Sequence, residues 1–365
     1  MVKPIAFYLP QFHPIPENDQ WWGSGFTEWT NVTKAKPLFE GHYQPRLPAD
    51  LGFYDLRVPE VRLRQAEIAK EYGIYGFCYW HYWFAGKQIL ERPLKEVVDS
   101  GKPDFPFCLA WANQTWQGTW HGLSNDKILI EQTYPGVNDH ELHFYSLLNT
   151  FKDKRYIEVD GKKLFCVFQP LDIPEVANFI ELWQKLAVAN GLNGFHFVAL
   201  HMSNDWCPTK FGFDAVVQGL TPWVDNLFPS TRYNLVQKLI RQFWVPKSDL
   251  IAQPRKVSYR DMVEKYSKVK LSDTHYPLLF CDWDNTSRSG TDGWLFTDFS
   301  VQLFEKYTEL TCVQTFNKRN DENFIFIKSW NEWAEGNYLE PDIRYGSSLL
   351  TSLKRAILKF SKSLI

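Results

Sequence analysis

The 365-residue chain is short of the features that announce many protein classes. Its formal net charge is −2, so it carries no basic footprint for nucleic acid. No apolar run approaches the roughly 20 residues that a membrane-spanning helix needs. Met1 leads almost directly into Ile5-Ala6-Phe7-Tyr8-Leu9, which leaves no room for a signal peptide and makes a cytoplasmic location the expectation. The six cysteines, at 78, 108, 166, 207, 281 and 312, form no C-x-x-C pair. Cys78, Cys108, Cys166 and Cys281 lie inside strand-like runs, as small buried hydrophobes do in a reducing compartment. No glycine-rich phosphate loop follows the first strand-like run, and no Ser-His-Asp elbow is visible. His13, His42, His81, His121 and His201 match no compact ligand spacing, so neither a metal nor another cofactor is expected.

Aromatic residues, by contrast, are abundant. They make up 17% of the chain, with 16 Trp, 17 Tyr and 28 Phe, more than a core of this size requires. Trp and Tyr carry polar groups that need partners, so many of them belong beside polar surface. A wet, aromatic-lined cleft suits a sugar, whose C–H faces stack on rings while its hydroxyls meet carboxylates and amides.

Read for period, the chain alternates short apolar runs with amphipathic stretches. Strand-like runs are Ile5–Leu9, Gly76–Tyr82, Phe107–Trp111, Leu164–Gln169, Phe195–Leu200, Ala215–Gln218, Leu278–Asp282 and Phe324–Trp330. They are continuous rather than alternating, as strands covered on both faces should be. Val61–Tyr72, the stretch around Phe179 and Trp183, and the stretch from Leu349 to Phe360 have helical spacing. Eight such units predict an α/β fold, a single (β/α)8 TIM barrel spanning residues 1–365. A doubly wound open sheet is the alternative. A long functional loop is expected at about 10–57 and an insertion at about 222–277, helical around Ser258–Tyr266. Tyr156–Val159 and Lys163–Phe168, joined across Asp160-Gly161, read as a hairpin with a type I′ turn.

In a barrel the working residues come from the carboxyl ends of the strands. There the sequence places Tyr8, Gln11 and His13, then Tyr79, Trp80, His81 and Tyr82, then Trp111, Asn113 and Trp116. Gln169, His201 and Gln218 end or follow the middle strands, and Asp282-Trp283-Asp284-Asn285 follows the seventh. The last run opens into Trp330-Asn331-Glu332-Trp333-Ala334-Glu335-Gly336, with Tyr338 just beyond. Cleaving a glycosidic bond takes two carboxyl groups with different jobs, and Glu332 and Glu335 are the candidate pair. Three-residue spacing lets both face one pocket if the chain turns helically there, and unequal burial would make one the acid. The bland alternative pairs one with a cation such as Arg344 and leaves the other solvated. In the first loop, Trp22, Glu28 and Trp29 are candidate sugar contacts, Glu28 as an orienting group rather than a chemical one. Asp282 and Asp284 form an Asp-x-Asp, a weak signal for a metal-bound diphosphate.

Four stretches together resemble the WbsX-like family. They are Phe7–Pro14, Gly25–Val32, Gly76–Phe84 and Trp330–Gly336, and the resemblance runs from Phe7 to about Asp342. Members are often named glycosyltransferases because they occur with polysaccharide biosynthesis genes. The family is in turn similar to family 99 glycoside hydrolases, the endo-α-mannosidases, which are (β/α)8 barrels that cleave with retention. The resemblance implies that Glu332 takes the proton from the sugar's own 2-hydroxyl, giving a 1,2-anhydro intermediate. Glu335 would then be acid and afterwards base. The expected function is a retaining glycoside hydrolase, or a transglycosylase, acting on α-mannoside- or α-rhamnoside-like linkages of an oligo- or polysaccharide. The alternative is a glycosyltransferase of surface polysaccharide or O-antigen synthesis.

Overall fold

The computed structural model describes residues 2–118, 128–202, 206–219, 253–266, 268–315 and 322–362. Its main sheet contains strands β1 (Lys3–Tyr8), β2 (Gly76–Phe84), β3 (Phe107–Trp111), β4 (Lys162–Val167) and β5 (Phe195–Met202). It continues with β6 (Ala215–Gln218), β7 (His275–Tyr276), β8 (Leu278–Leu279) and β9 (Phe324–Ile327). The hydrogen-bonded order is β7-β6-β5-β4-β3-β2-β1-β9-β8, and every pairing along it is parallel.

β7 and β8 are one stretch of chain broken at Pro277, which has no N–H to give to a ladder. The Pro277 carbonyl still accepts from Phe326 N at 3.0 Å. Because the two halves stand at opposite ends of the strand order, the sheet curls into a nearly closed barrel. Of the expected seventh run, Leu278–Asp282, only β8 is strand, on β9, and the pairing to β6 is made by His275–Tyr276, which lies before that run.

β3 and β9 are buried at every position, which accounts for their unbroken apolar composition. Helices covering the barrel include Pro59–Glu71, Val137–Phe151, Val176–Ala189, Val301–Gln314 and Ser348–Lys362. Val176–Ala189 inserts Trp183 against Phe165 and Phe195, with ring centroids 4.9 and 5.4 Å apart. Between β5 and β6 the described residues hold only a 3-10 turn, Pro208–Phe211, where a regular unit would place a helix. No helix among the described residues is long and apolar enough to cross a membrane.

The hairpin forms as expected. Glu158–Val159 pairs antiparallel with β4, and Asp160 (φ 51°) and Gly161 (φ 74°) supply the two left-handed residues of a type I′ turn. Of the insertion expected at 222–277, residues 222–252 lie outside the described residues, and beyond them Tyr259–Tyr266 is helical. The first long loop carries two short helices, Pro16–Trp22 and Glu28–Lys34. It is tied back to its own start, with Glu28 N donating to Gln11 O at 3.1 Å and Leu56 N to Phe12 O at 3.0 Å.

Candidate active site

Leaving β9, the chain makes a compact turn that presents two carboxylates. Asn331–Glu332 pairs antiparallel with Asn337–Tyr338, and Trp333–Glu335 between them forms a 3-10 turn. Gly336 closes it at φ 59°, with backbone N of Asp284 only 2.9 Å from where a Cβ would stand. Any larger residue would strain this corner and collide with the neighbouring loop. The Asn331 side chain pins the turn to the end of β1, accepting from Leu9 N at 2.8 Å and donating to Leu9 O at 3.0 Å. Asp284 N donates to Glu335 O at 2.7 Å. The ends of the first and last barrel strands thus meet, as the sequence predicts.

Between these ends and β2, β3 and β4 lies a cavity of about 250 Å³. Gln11, Trp80, Tyr82, Ala112, Gln114 and Phe168 line it from the ends of the first four strands. Trp283, Arg288, Lys328, Glu332 and Glu335 line the other side, and Glu28, Trp116, Gln117 and Leu129 come from loops. Trp80 is held in place by stacking on Phe7, and Trp283 by stacking on Trp294, each with centroids 4.9 Å apart.

Two cations organise three carboxylates here. Arg288 Nη1 lies 2.7 Å from Glu335 Oε1, and its Nη2 lies 3.0 Å from Glu28 Oε2. Lys328 Nζ lies 3.1 Å from Glu332 Oε2 and 3.8 Å from Glu335 Oε2. Burial, reinforced by the neighbouring Glu332 charge, pushes the Glu335 carboxyl up to about 7, against the pull of Lys328 and Arg288. Among the described residues Glu335 Oε2, Glu28 Oε1, Gln11 Nε2 and Trp283 Nε1 make no hydrogen bond, and all four residues face the cavity. A carboxyl poised near neutral pH on the cavity wall can give or take a proton there.

Of the residues singled out in the sequence, Gln11, Glu28, Trp80, Tyr82, Trp116, Trp283, Glu332 and Glu335 reach the cavity wall. The others lie off the described wall, occupied elsewhere. Tyr8 donates to Gln65, Trp111 to the Trp83 carbonyl, and Asn113 to Tyr134 and the Gln169 carbonyl. His81 meets His143 ring to ring, Nε2 to Nε2 at 2.7 Å, beneath Trp83. Tyr338 donates to Asp342, while Trp29 donates to Tyr54 O and packs on Trp333. Tyr79, Trp330 and His13 are buried, Asn331 is the clasp described above, and Trp22 packs on Phe26. The side chains of His201 and Gln218 lie outside the described part, as does His121.

The Asp-x-Asp motif is tied up by protein. Arg46 Nη1 lies 2.8 Å from Asp282 Oδ2, and Trp283 N donates to its Oδ1. Asp284 accepts from Gln44 and Thr286, with His42 Nε2 2.9 Å from its Oδ2. The ion partners of Glu332 and Glu335 are Lys328 and Arg288 rather than Arg344, whose guanidinium lies over Tyr43. Neither cation stood out in the sequence. Only their position behind two strand ends, with Lys328 four residues before Glu332, could have marked them.

The family model described as glycosyltransferase WbsX matches residues 4–353. The chain belongs to this WbsX family. Curated relatives from two strains of Xanthomonas campestris pv. campestris, both carried as uncharacterized protein WxcX, are 37% identical over 97% of this chain. The WbsX-family chain spans about half the length of these relatives, covering 49% of each. Among solved structures it is similar to a family 99 endo-α-mannosidase from Bacteroides thetaiotaomicron. The TM-score is 0.59 and the identity 13%, with 99% of this chain and 98% of that one covered. A structure described as a glycoside hydrolase-like protein scores 0.56 at 13% identity, covering 97% of this chain and 93% of its own. At that identity the likeness is one of fold alone, a (β/α)8-type barrel.

Proposed function

We propose that the protein is a retaining glycoside hydrolase, or transglycosylase, acting on linkages whose 2-hydroxyl lies trans to the leaving group, as in α-mannosides and α-rhamnosides. The observation carrying this reading is the pair Glu332 and Glu335 on one aromatic-walled cavity, with Glu335 pushed up to about 7 beside its neighbour. Glu332 takes the 2-hydroxyl proton as O2 attacks the anomeric carbon. Glu335 gives its proton to the departing oxygen as the C1–O bond breaks. In the second half Glu335 takes a proton from water, which opens the anhydro ring at C1, and Glu332 returns its proton to O2. Trp80, Trp116 and Trp283 offer faces for the sugar rings.

A glycosyltransferase is the second reading, favoured by the family's description. A diphosphate donor needs spare positive charge or a bridging metal. Among the described residues Arg288 and Lys328 are already matched against three carboxylates, and the Asp282 and Asp284 oxygens are engaged by protein donors. Incubating the protein with α-mannans and α-rhamnans, with and without nucleotide sugars, separates the two. New reducing ends without nucleotide support hydrolysis, and product formed only with nucleotide sugar refutes it. A 2-deoxy glycoside should be inert, and its rapid turnover would refute the anhydro route.

A further inference from the structure

Arg288 touches two carboxylates at once, and only one of them belongs to the proposed catalytic pair. Its guanidinium sits 2.7 Å from Glu335 Oε1 on one side and 3.0 Å from Glu28 Oε2 on the other. Three separate parts of the chain meet here. Glu28 opens the helix Glu28–Lys34 of the first loop, Arg288 lies in the short helix Thr286–Ser289 after β8, and Glu335 ends the turn after β9. Glu28 is fully buried, which is costly for a carboxylate without a compensating cation.

The contact divides the two oxygens of Glu335. Oε1 is committed to Arg288, whereas Oε2 is buried 3.8 Å from Lys328 Nζ and makes no hydrogen bond among the described residues. A guanidinium at this distance would, by itself, favour the ionised carboxylate and weaken an acid meant to donate. Glu28 opposes that effect by drawing on the same guanidinium.

We infer that Glu28 and Arg288 are a positioning pair for Glu335: Arg288 anchors one of its oxygens and so fixes the carboxyl at the cavity wall, and Glu28 offsets the Arg288 charge so that Glu335 keeps its proton. This rests on the proposed reaction for its purpose, but not for its physics. The other charged or titratable groups facing Glu335 are Glu332 on its own turn, Lys328 at the end of β9 and the Tyr82 hydroxyl from β2. None of them touches Glu28 and Glu335 together through one side chain in the described contacts.

The test is carboxyl-carbon NMR on protein labelled with δ-13C glutamate, with the Glu335 line assigned by its disappearance in Glu335→Gln. Glu28→Gln should lower the Glu335 midpoint by about one pH unit, because Arg288 is then opposed by no second carboxylate. Adding Arg288→Met to that variant should raise the midpoint above its value in Glu28→Gln alone. The double variant removes both charges of the ion pair and orphans neither, so it keeps the question open to measurement if the single variant unfolds. In that event its midpoint should stay close to wild type. A midpoint unmoved or raised by Glu28→Gln, or displaced by more than about one unit in the double variant, overturns the pair. The high-pH limb of kcat/KM should move in step with each midpoint. Shifts present without glycoside turnover would overturn the reaction and leave the pair standing, whereas turnover with no shift would do the reverse.

Discussion

Glu335 and Glu340 stand on the same stretch of chain, and burial pushes both carboxyls up to about 7. They nevertheless occupy opposite kinds of site. Glu340 is enclosed by neutral donors, with Gln65 Nε2 at 2.6 Å, Trp333 Nε1 at 2.7 Å and the Tyr54 hydroxyl at 2.9 Å. It faces no described cavity, and Tyr54 links it on to Asn331, the clasp on β1. Glu335 has charged partners, lines the cavity and keeps one oxygen without a hydrogen bond among the described residues. A displaced pKa marks burial in both cases. A place on the cavity wall separates a group that can act on a substrate from one that holds the frame.

The two carboxyls should differ most in activity. Glu335→Gln should cost roughly 10²–10⁴-fold in turnover of a glycoside with a poor leaving group. It should leave the urea midpoint unchanged or slightly raised, because it replaces a buried ionisable group with a neutral one. Glu332→Gln should be equally damaging. Glu340→Ala belongs to the other side of the comparison. It strips three buried donors of their acceptor and should lower unfolding free energy by roughly 3 kcal/mol in urea titration. A Glu340→Ala protein as stable as wild type would erase the distinction.

The pH dependence of stability is a smaller effect with a defined sign. The folded midpoint of Glu340, about 7, lies above its reference value of 4.5, so the folded state holds the proton longer than the unfolded one. Its contribution is therefore complete below about pH 4.5 and is lost as pH rises through about 7. Glu340→Gln should flatten that part of the curve, which thermal melts across the range would detect. The smallest change expected is in Trp283→Phe. It keeps the ring stacked on Trp294 and removes from this wall residue an indole N–H that makes no hydrogen bond among the described residues, so KM should rise by about tenfold or less.

The barrel was legible because parallel strands buried on both faces leave unbroken apolar runs, and β3, β6 and the amino end of β9 fall where those runs predict. The break at Pro277 was not, since the run Leu278–Asp282 leaves out His275–Tyr276, which becomes a strand only through its pairing with β6. The glutamate pair announced itself by its tryptophan setting. Arg288 and Lys328 did not, because one Arg in a Thr-Ser-Arg-Ser stretch and one Lys after a strand carry no local signal. Their meaning comes from chain segments brought together by closure, as when Arg288 reaches Glu28 in the first loop. Of the strand-end aromatics Trp80, Tyr82 and Trp283 reach the cavity wall and no described histidine does, so residue type alone could not sort wall from support. His81 and Trp111 look outward in sequence and are spent on His143 and the Trp83 carbonyl.

The most direct test of Glu335 as the cavity's acid compares leaving groups. Wild type and Glu335→Gln are assayed on an α-glycoside of the natural, poorly leaving type and on the corresponding activated aryl glycoside. Glu335→Gln should lose roughly 10²-fold or more on the first and much less on the second, whose leaving group needs little protonation. Equal losses on both substrates would contradict that role.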